Sequence, residues 1–265
     1  MKFIHLPENA DVMVQVCPRI NDPVNIAIAK PWRKSPSASM VYILVIGAGG
    51  DGGPSSGGGG GSGGQTSVLI PAALLPDTLF VSEYANTDAD FVAVYTVAEN
   101  AASTLFRAGC VARANNGGDF SNPNLGGSGG TVAVAADMPR GWGGIVVALA
   151  GQAGGGGSTV GAASALSYPT TGLLVTGGAG GGATSGGSIS ASAPRPLIAG
   201  GATGVSGSHG INLVNGAFLP SGGAGGGGGG GAGGNGGIGC GGGGGGSSGG
   251  LGGAGGPGLI VIAQW

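Results

Sequence analysis

An all-β, partly irregular fold, made of short apolar strands and stacked polyglycine II-type helices with almost no α-helix, is what this sequence of 265 residues predicts. Three observations carry the expectation. Glycine accounts for 69 residues, only 8% of the chain is charged, and the mean hydropathy is positive at +0.33. Glycine at this level without a strict three-residue period usually marks low complexity or disorder. A disordered chain stays open because it is polar and charged, however, and this one is neither. It must fold or assemble.

Charge and glycine divide the chain into zones. Residues 1–34 hold five basic and three acidic side chains, whereas 141–265 hold one charged residue, Arg195. The zone 1–39 is punctuated by prolines at 7, 18, 23, 31 and 36. Between them, Val12-Met13-Val14-Gln15-Val16 and Val24-Asn25-Ile26-Ala27-Ile28 alternate like short strands. Frequent proline confines such strands to an edge or an extended arm. The zone closes on the basic cluster Lys30-Pro31-Trp32-Arg33-Lys34. That cluster reads as a solvated linker or as a docking arm in which Trp32 anchors to a partner.

The remainder, 40–265, reads as one glycine-rich β/polyglycine domain. It opens on the buried strand Met40-Val41-Tyr42-Ile43-Leu44-Val45-Ile46, which breaks into Gly47-Ala48-Gly49-Gly50. The glycine-poor stretch 66–114 follows, with strand patterns at 67–70, 78–81, 91–97, 104–107 and 110–113. Beyond it, short apolar segments run directly into glycines: Ala148-Leu149-Ala150, Leu173-Leu174-Val175-Thr176 and Leu197-Ile198-Ala199. The spacing is a loose repeat near 25 residues. The end, Gly258-Leu259-Ile260-Val261-Ile262-Ala263-Gln264-Trp265, mirrors strand 40–46, and the two are expected to pair.

The glycines require a physical reason, since each costs roughly 0.5–1 kcal/mol relative to alanine in regular structure. A three-residue-per-turn extended helix supplies one. Alone it has no internal hydrogen bonds, but side-chain-free neighbours approach closely enough to bond laterally, which satisfies the buried backbone groups. Residues 222–256, with 26 glycines in 35 positions, are expected to form two or three antiparallel spokes. The expected turns are near Asn235 and Ser247-Ser248.

Catalytic and cofactor motifs fail on their own physics. Gly47-Ala48-Gly49-Gly50-Asp51-Gly52 matches a dinucleotide fingerprint, but that motif needs a helix beginning inside the glycines, and Gly53-Pro54-Ser55-Ser56 follows instead. A nucleotide-binding enzyme is thus a remote alternative. No glycine precedes a lysine, so a phosphate-binding loop is excluded. His5 lies near the N-terminus, and His209, in Ser206-Gly207-Ser208-His209-Gly210, has no acid nearby in sequence. No enzyme, cofactor or metal is expected. A net charge of −2 gives no nucleic-acid footprint, and no apolar run is long enough to span a membrane. Cys17, Cys110 and Cys240, odd in number and far apart, read as buried thiols.

Met40–Gly53 and Gly249–Trp265, with the glycine texture between them, resemble the glycine-rich structural proteins of tailed-bacteriophage virions. Within that group, polyglycine-sandwich tail-fibre adhesins are the most similar. The resemblance implies a non-enzymatic virion protein, with a tail-fibre or tip component contacting a host surface receptor as the leading role. A capsid decoration or cement protein, a head fibre and a collar subunit share the same building plan. The N-terminal zone 1–39 would dock on other virion proteins through Lys30, Trp32, Arg33 and Lys34, and its removal would leave 40–265 folded. The apolar strands would close a monomeric core or complete a trimeric homo-oligomer.

Recognition cannot come from glycine spokes, which offer no side chains. The candidate recognition loops therefore carry Phe120 and Asn122, Tyr168, and Asn215 and Phe218. Aromatics on loops over a rigid scaffold are the usual binding anchors. The competing reading is that Phe120, Tyr168 and Phe218 are buried and seal the glycine stack.

Overall fold

The computed structural model describes residues 6–20, 29–82, 85–86, 91–96, 104–109, 125–134 and 145–265. In chain order the strands are β1 (Asp11–Cys17), β2 (Arg19–Ile20), β3 (Ala29–Arg33), β4 (Met40–Ile46), β5 (Gln65–Pro71), β6 (Thr78–Ser82) and β7 (Ala85–Asn86). They continue with β8 (Phe91–Tyr95), β9 (Thr104–Gly109), β10 (Val132–Val134), β11 (Ile145–Leu149), β12 (Leu213–Val214), β13 (Ala217–Phe218) and β14 (Gly258–Gln264). Helix among the described residues is limited to one 3-10 turn, Ala72–Leu74. The fold is all-β. The expected strands 24–28 and 110–113 lie outside the described residues.

Two five-stranded antiparallel sheets form the base, ordered β1-β14-β4-β5-β11 and β10-β9-β8-β6-β3. The expected pairing of the two most apolar segments is present: β4 lies antiparallel to β14 with Val45 opposite Ile260. Because side chains alternate across a strand, the first sheet buries both faces. Val41, Ile43, Val45, Ile260 and Ile262 pack toward Leu79, Val81, Val92 and Val94 of the second sheet. Leu44, Ile46, Leu259 and Val261 face the glycine-rich body, where Leu173, Val175, Phe218, Ile238 and Cys240 meet them. Cys17 and Cys240 are buried free thiols; Cys110 lies outside the described residues.

The N-terminal zone departs from the expected docking arm. β1 pairs along its whole length with β14, from Asp11 opposite Gln264 to Cys17 opposite Gly258. β3 pairs with β6, placing Trp32 opposite Leu79. Trp32 is 8% exposed and belongs to the core between the sheets. An indole ring on the inner face of a strand buries in its own domain, so Trp32 cannot anchor in a partner. Lys34 is also committed internally. Its Nζ donates to the Ala72 and Leu75 carbonyls at 2.8 and 2.7 Å and lies 3.4 Å from Asp77 Oδ1. The side chains of Lys30 and Arg33 are exposed on this edge strand.

The glycine runs continue the first sheet. β4 passes into 47–53, 57–64 leads into β5, β11 passes into 151–157, and 250–256 leads into β14. Hydrogen bonds between runs recur every third residue. Gly47, Gly50 and Gly53 donate to Gly64, Gly61 and Gly58, while Gly49, Gly52 and Ser55 donate to Gly256, Gly253 and Gly250. Run 241–246 shows the pattern completely. Gly241 and Gly244 donate to Thr176 and Ala179, Gly242 and Gly245 to Gly50 and Gly53, and Gly243 and Gly246 to Gly234 and Gly231. Its carbonyls accept from three further runs, through Gly223 and Gly226, through Gly60, and through Gly253 and Gly250. These bonds span 2.7–3.2 Å, ordinary for N–H···O.

Side chains are excluded from the centre of this arrangement by geometry. A Cβ on Gly241, Gly242 or Gly243 would overlap the backbone carbonyl of Gly60, Gly253 or Ala224 respectively. Three successive residues thus each meet a different neighbour. Residues 222–256 make four runs with turns at 228–230, 238–239 and 247–249. The expected turn at Ser247-Ser248 is present. Asn235, by contrast, sits exposed within a run, where its Oδ1 accepts the Ala254 N–H at 3.0 Å. Segments 173–176 and 197–199 are not strands of a sheet; Ile198 makes only an isolated bridge with Ile189.

Candidate recognition surface

At the end of the glycine runs away from the two sheets, the chain reverses at 54–56, 158–161, 183–185, 203–205, 228–230 and 247–249. These turns are tied together. Thr203 Oγ1 donates to the Thr184 carbonyl at 3.0 Å, Gly230 N–H to the Ser247 carbonyl at 2.7 Å, and Ser55 N–H to the Gly250 carbonyl at 2.8 Å. Ser158 Oγ accepts the Gly161 N–H within its own turn at 3.2 Å.

Backbone strain concentrates here. Of the non-glycine residues with positive φ, Ser55 (52°), Ser56 (65°) and Ser248 (64°) lie in these turns. Such conformations cost a side-chain-bearing residue energy and cluster at functional sites. The described turns at 54–56, 158–161, 183–185, 203–205, 228–230 and 247–249 contain no Asp, Glu, Lys, Arg, His or aromatic residue. They offer Ser and Thr hydroxyls beside the exposed aliphatics Val160 (93%), Leu251 (70%), Leu125 (59%) and Val205 (53%). Chemically these turns present hydrogen-bonding and apolar groups side by side. Among the described residues, no group of three or more His, Cys, Asp or Glu side chains could hold a metal ion.

The sequence-predicted recognition residues do not gather on this surface. Phe218 is 5% exposed in the core between sheet and glycine runs. Tyr168 is 6% exposed, and its hydroxyl donates to the Pro196 carbonyl at 3.0 Å. Burial raises the Tyr168 phenol pKa, which hydrogen bonding and Arg195 partly offset. Both rings fill gaps where glycine runs offer no side chains, so their assignment as recognition anchors is corrected to core. Asn215 is exposed at the tip of the β12–β13 hairpin, where φ of 51° at Asn215 and 81° at Gly216 close a two-residue turn. Phe120 and Asn122 lie outside the described residues.

Sequence reasoning missed the distal turns because it sought aromatic side chains. The available signal was different: Pro54-Ser55-Ser56, Ser158-Thr159-Val160, Ala183-Thr184-Ser185 and Ser247-Ser248 each interrupt a glycine run with hydroxyl-bearing residues. Comparison of the chain with protein families and with curated proteins finds no match.

Proposed function

We propose that this chain is a non-enzymatic structural protein of a tailed-bacteriophage virion, a tail-fibre or tip component whose distal turns contact the host surface. Its glycine runs would be polyglycine II-type helices acting as a stiff spacer. Seven residues at about 3.1 Å each would carry the turns roughly 20 Å beyond the sheets. The observation that supports the reading is the division of labour along the molecule. Among the described residues, apolar strands and the charged side chains of Asp11, Lys30, Arg33, Lys34 and Asp77 sit at one end, and a pre-organised set of hydroxyl-bearing turns without charged residues sits at the other. The exposed Lys30 and Arg33 on β3 remain the proposed contacts to a neighbouring virion protein.

Mass spectrometry of purified particles tests the class, and labelling of those particles tests the role. The protein is expected in the particle, with antibody against the 158–161 turn decorating fibre or tail tips. Absence from particles refutes the reading. A lattice of label over the head would favour a decoration protein instead, a role for which the exposed valines of edge strand β1 (Val12, Val14, Val16) offer a lateral contact.

A further inference from the structure

A second site lies near the sheet end of the glycine body, apart from the distal turns. Tyr168, Leu173, Ser192, Pro194 and Arg195 line a cleft of about 230 Å³. Arg195 is the only charged residue in 141–265. Its guanidinium stacks over the Tyr168 ring at 5.0 Å from the centroid, and Nη2 donates to the Leu174 carbonyl at 3.0 Å. Nη1 is buried and has no hydrogen-bond partner.

Arg19 meets Asp51 and Lys34 meets Asp77. Arg195 has no acidic partner among the described residues. The ionisable neighbour behind it, the Cys240 thiol, is pushed up to about 12 by burial and stays neutral. A partly buried guanidinium without an anion is energetically incomplete, since buried charges are paired as a rule. The planar fork suits a carboxylate or phosphate approaching bidentately. Leucine and proline beside it give the cleft apolar walls. The volume is below the roughly 300 Å³ at which drug-sized pockets begin, which limits the occupant to about one ring with its acid group.

We propose that this cleft binds a small organic oxyanion, a carboxylate or phosphate ester carried on a single sugar-sized ring, with Arg195 as its counter-charge. The inference does not rest on the virion reading. Arg195 is a binding residue in it, and Tyr168 is the platform that holds the guanidinium flat.

The test uses the full chain with D-glucuronate, glucose 1-phosphate, inorganic phosphate and neutral glucose at millimolar concentration. Glucuronate or glucose 1-phosphate is expected to raise the thermal midpoint and to move the Arg195 side-chain NMR resonances, while glucose does neither. Arg195→Gln is expected to weaken binding at least tenfold, the scale of one charge-assisted hydrogen bond, and Arg195→Lys to weaken it less. The apo thermal midpoint of Arg195→Gln is expected to stay near wild type, because an uncompensated charge is lost along with the Leu174 contact. Should Arg195→Gln fail to fold, the wild-type resonances alone decide. Binding of glucose equal to that of the acids, binding of inorganic phosphate alone, or no movement of Arg195 with any oxyanion overturns the proposal.

Discussion

Replacing Gly242 by alanine adds one methyl group inside the buried glycine run 241–246. The new Cβ would overlap the carbonyl of Gly253, so run 250–256 must back away by roughly an ångström, as overpacked cores do. That movement strains the row in which Gly250, Gly253 and Gly256 donate to Gly246, Gly243 and Cys240 at 3.2, 2.7 and 2.8 Å. Gly253 and Cys240 are fully surrounded by protein, so water cannot replace lost partners. Each buried donor or acceptor left unpaired costs about 1–3 kcal/mol. Two or three such losses after partial relaxation give about 3–6 kcal/mol, a large share of a domain's 5–15 kcal/mol. Gly161→Ala is the control, since a Cβ there meets nothing within 4 Å. It should be neutral or stabilise by up to about 1 kcal/mol through the unfolded chain. Denaturant unfolding of both variants supplies the comparison. If Gly242→Ala unfolds within 1 kcal/mol of wild type, the runs are not packed as described and the reasoning fails.

Other outcomes follow from the same contacts. Phe218→Ala should destabilise by about 3–5 kcal/mol, as buried aromatic truncations do; an unchanged midpoint in thermal unfolding would return Phe218 to the surface. Deleting residues 1–36 should abolish cooperative unfolding of the remainder, because it removes β1 from β14 and Trp32 from the core, and circular dichroism melts will show this. The Cys240 thiol, raised to about 12 by burial, should resist thiol reagents in the native protein at neutral pH. Its contribution to stability is complete below the unfolded thiol pKa of about 8.5 and declines, by up to about 1.4 kcal/mol per pH unit, as pH rises toward 12. Cys240→Ala should flatten that decline between about pH 9 and 10, before half-buried Tyr42 and buried Tyr168 begin to contribute.

Strands announced themselves in the sequence where both faces are buried. Met40–Ile46 and the closing Gly258–Gln264 read as β-branched runs and pair as expected. The N-terminal zone was misread because its prolines and charges resemble a linker. Val12–Val16 alternates, and an alternating strand with a partner such as β14 is an edge strand of the sheet. The place of each glycine was legible only at a period that composition hides. Ala48-Gly-Gly-Asp51-Gly-Gly-Pro54, Leu125-Gly-Gly-Ser128-Gly-Gly-Thr131, Ala232-Gly-Gly-Asn235-Gly-Gly-Ile238 and Leu251-Gly-Gly-Ala254-Gly-Gly-Pro257 share a three-residue spacing, whereas 241–246 is all glycine. Runs at the margin keep a side chain on their third face, as Leu251, Ala254 and Leu125, Ser128 show by their exposure. The enclosed run has no free face. Side chains on those margins then bond to the neighbouring backbone: Ser206, His209 and Asn212 accept the N–H groups of Ala232, Asn235 and Ile238 at 3.3, 2.9 and 2.7 Å. No sequence rule for catalytic or capping motifs anticipates that ladder, because it joins segments 26 residues apart.

Amide hydrogen exchange resolved along residues 222–256 tests the central claim, that the glycine runs are a hydrogen-bonded body holding the distal turns in place. Amides of Gly241–Gly246 are expected to exchange as slowly as those of β4 and β14, since opening them requires sub-global unfolding. Exposed amides in the 228–230 and 247–249 turns should exchange faster. Exchange of Gly241–Gly246 at the rate of an unstructured glycine linker would contradict the account.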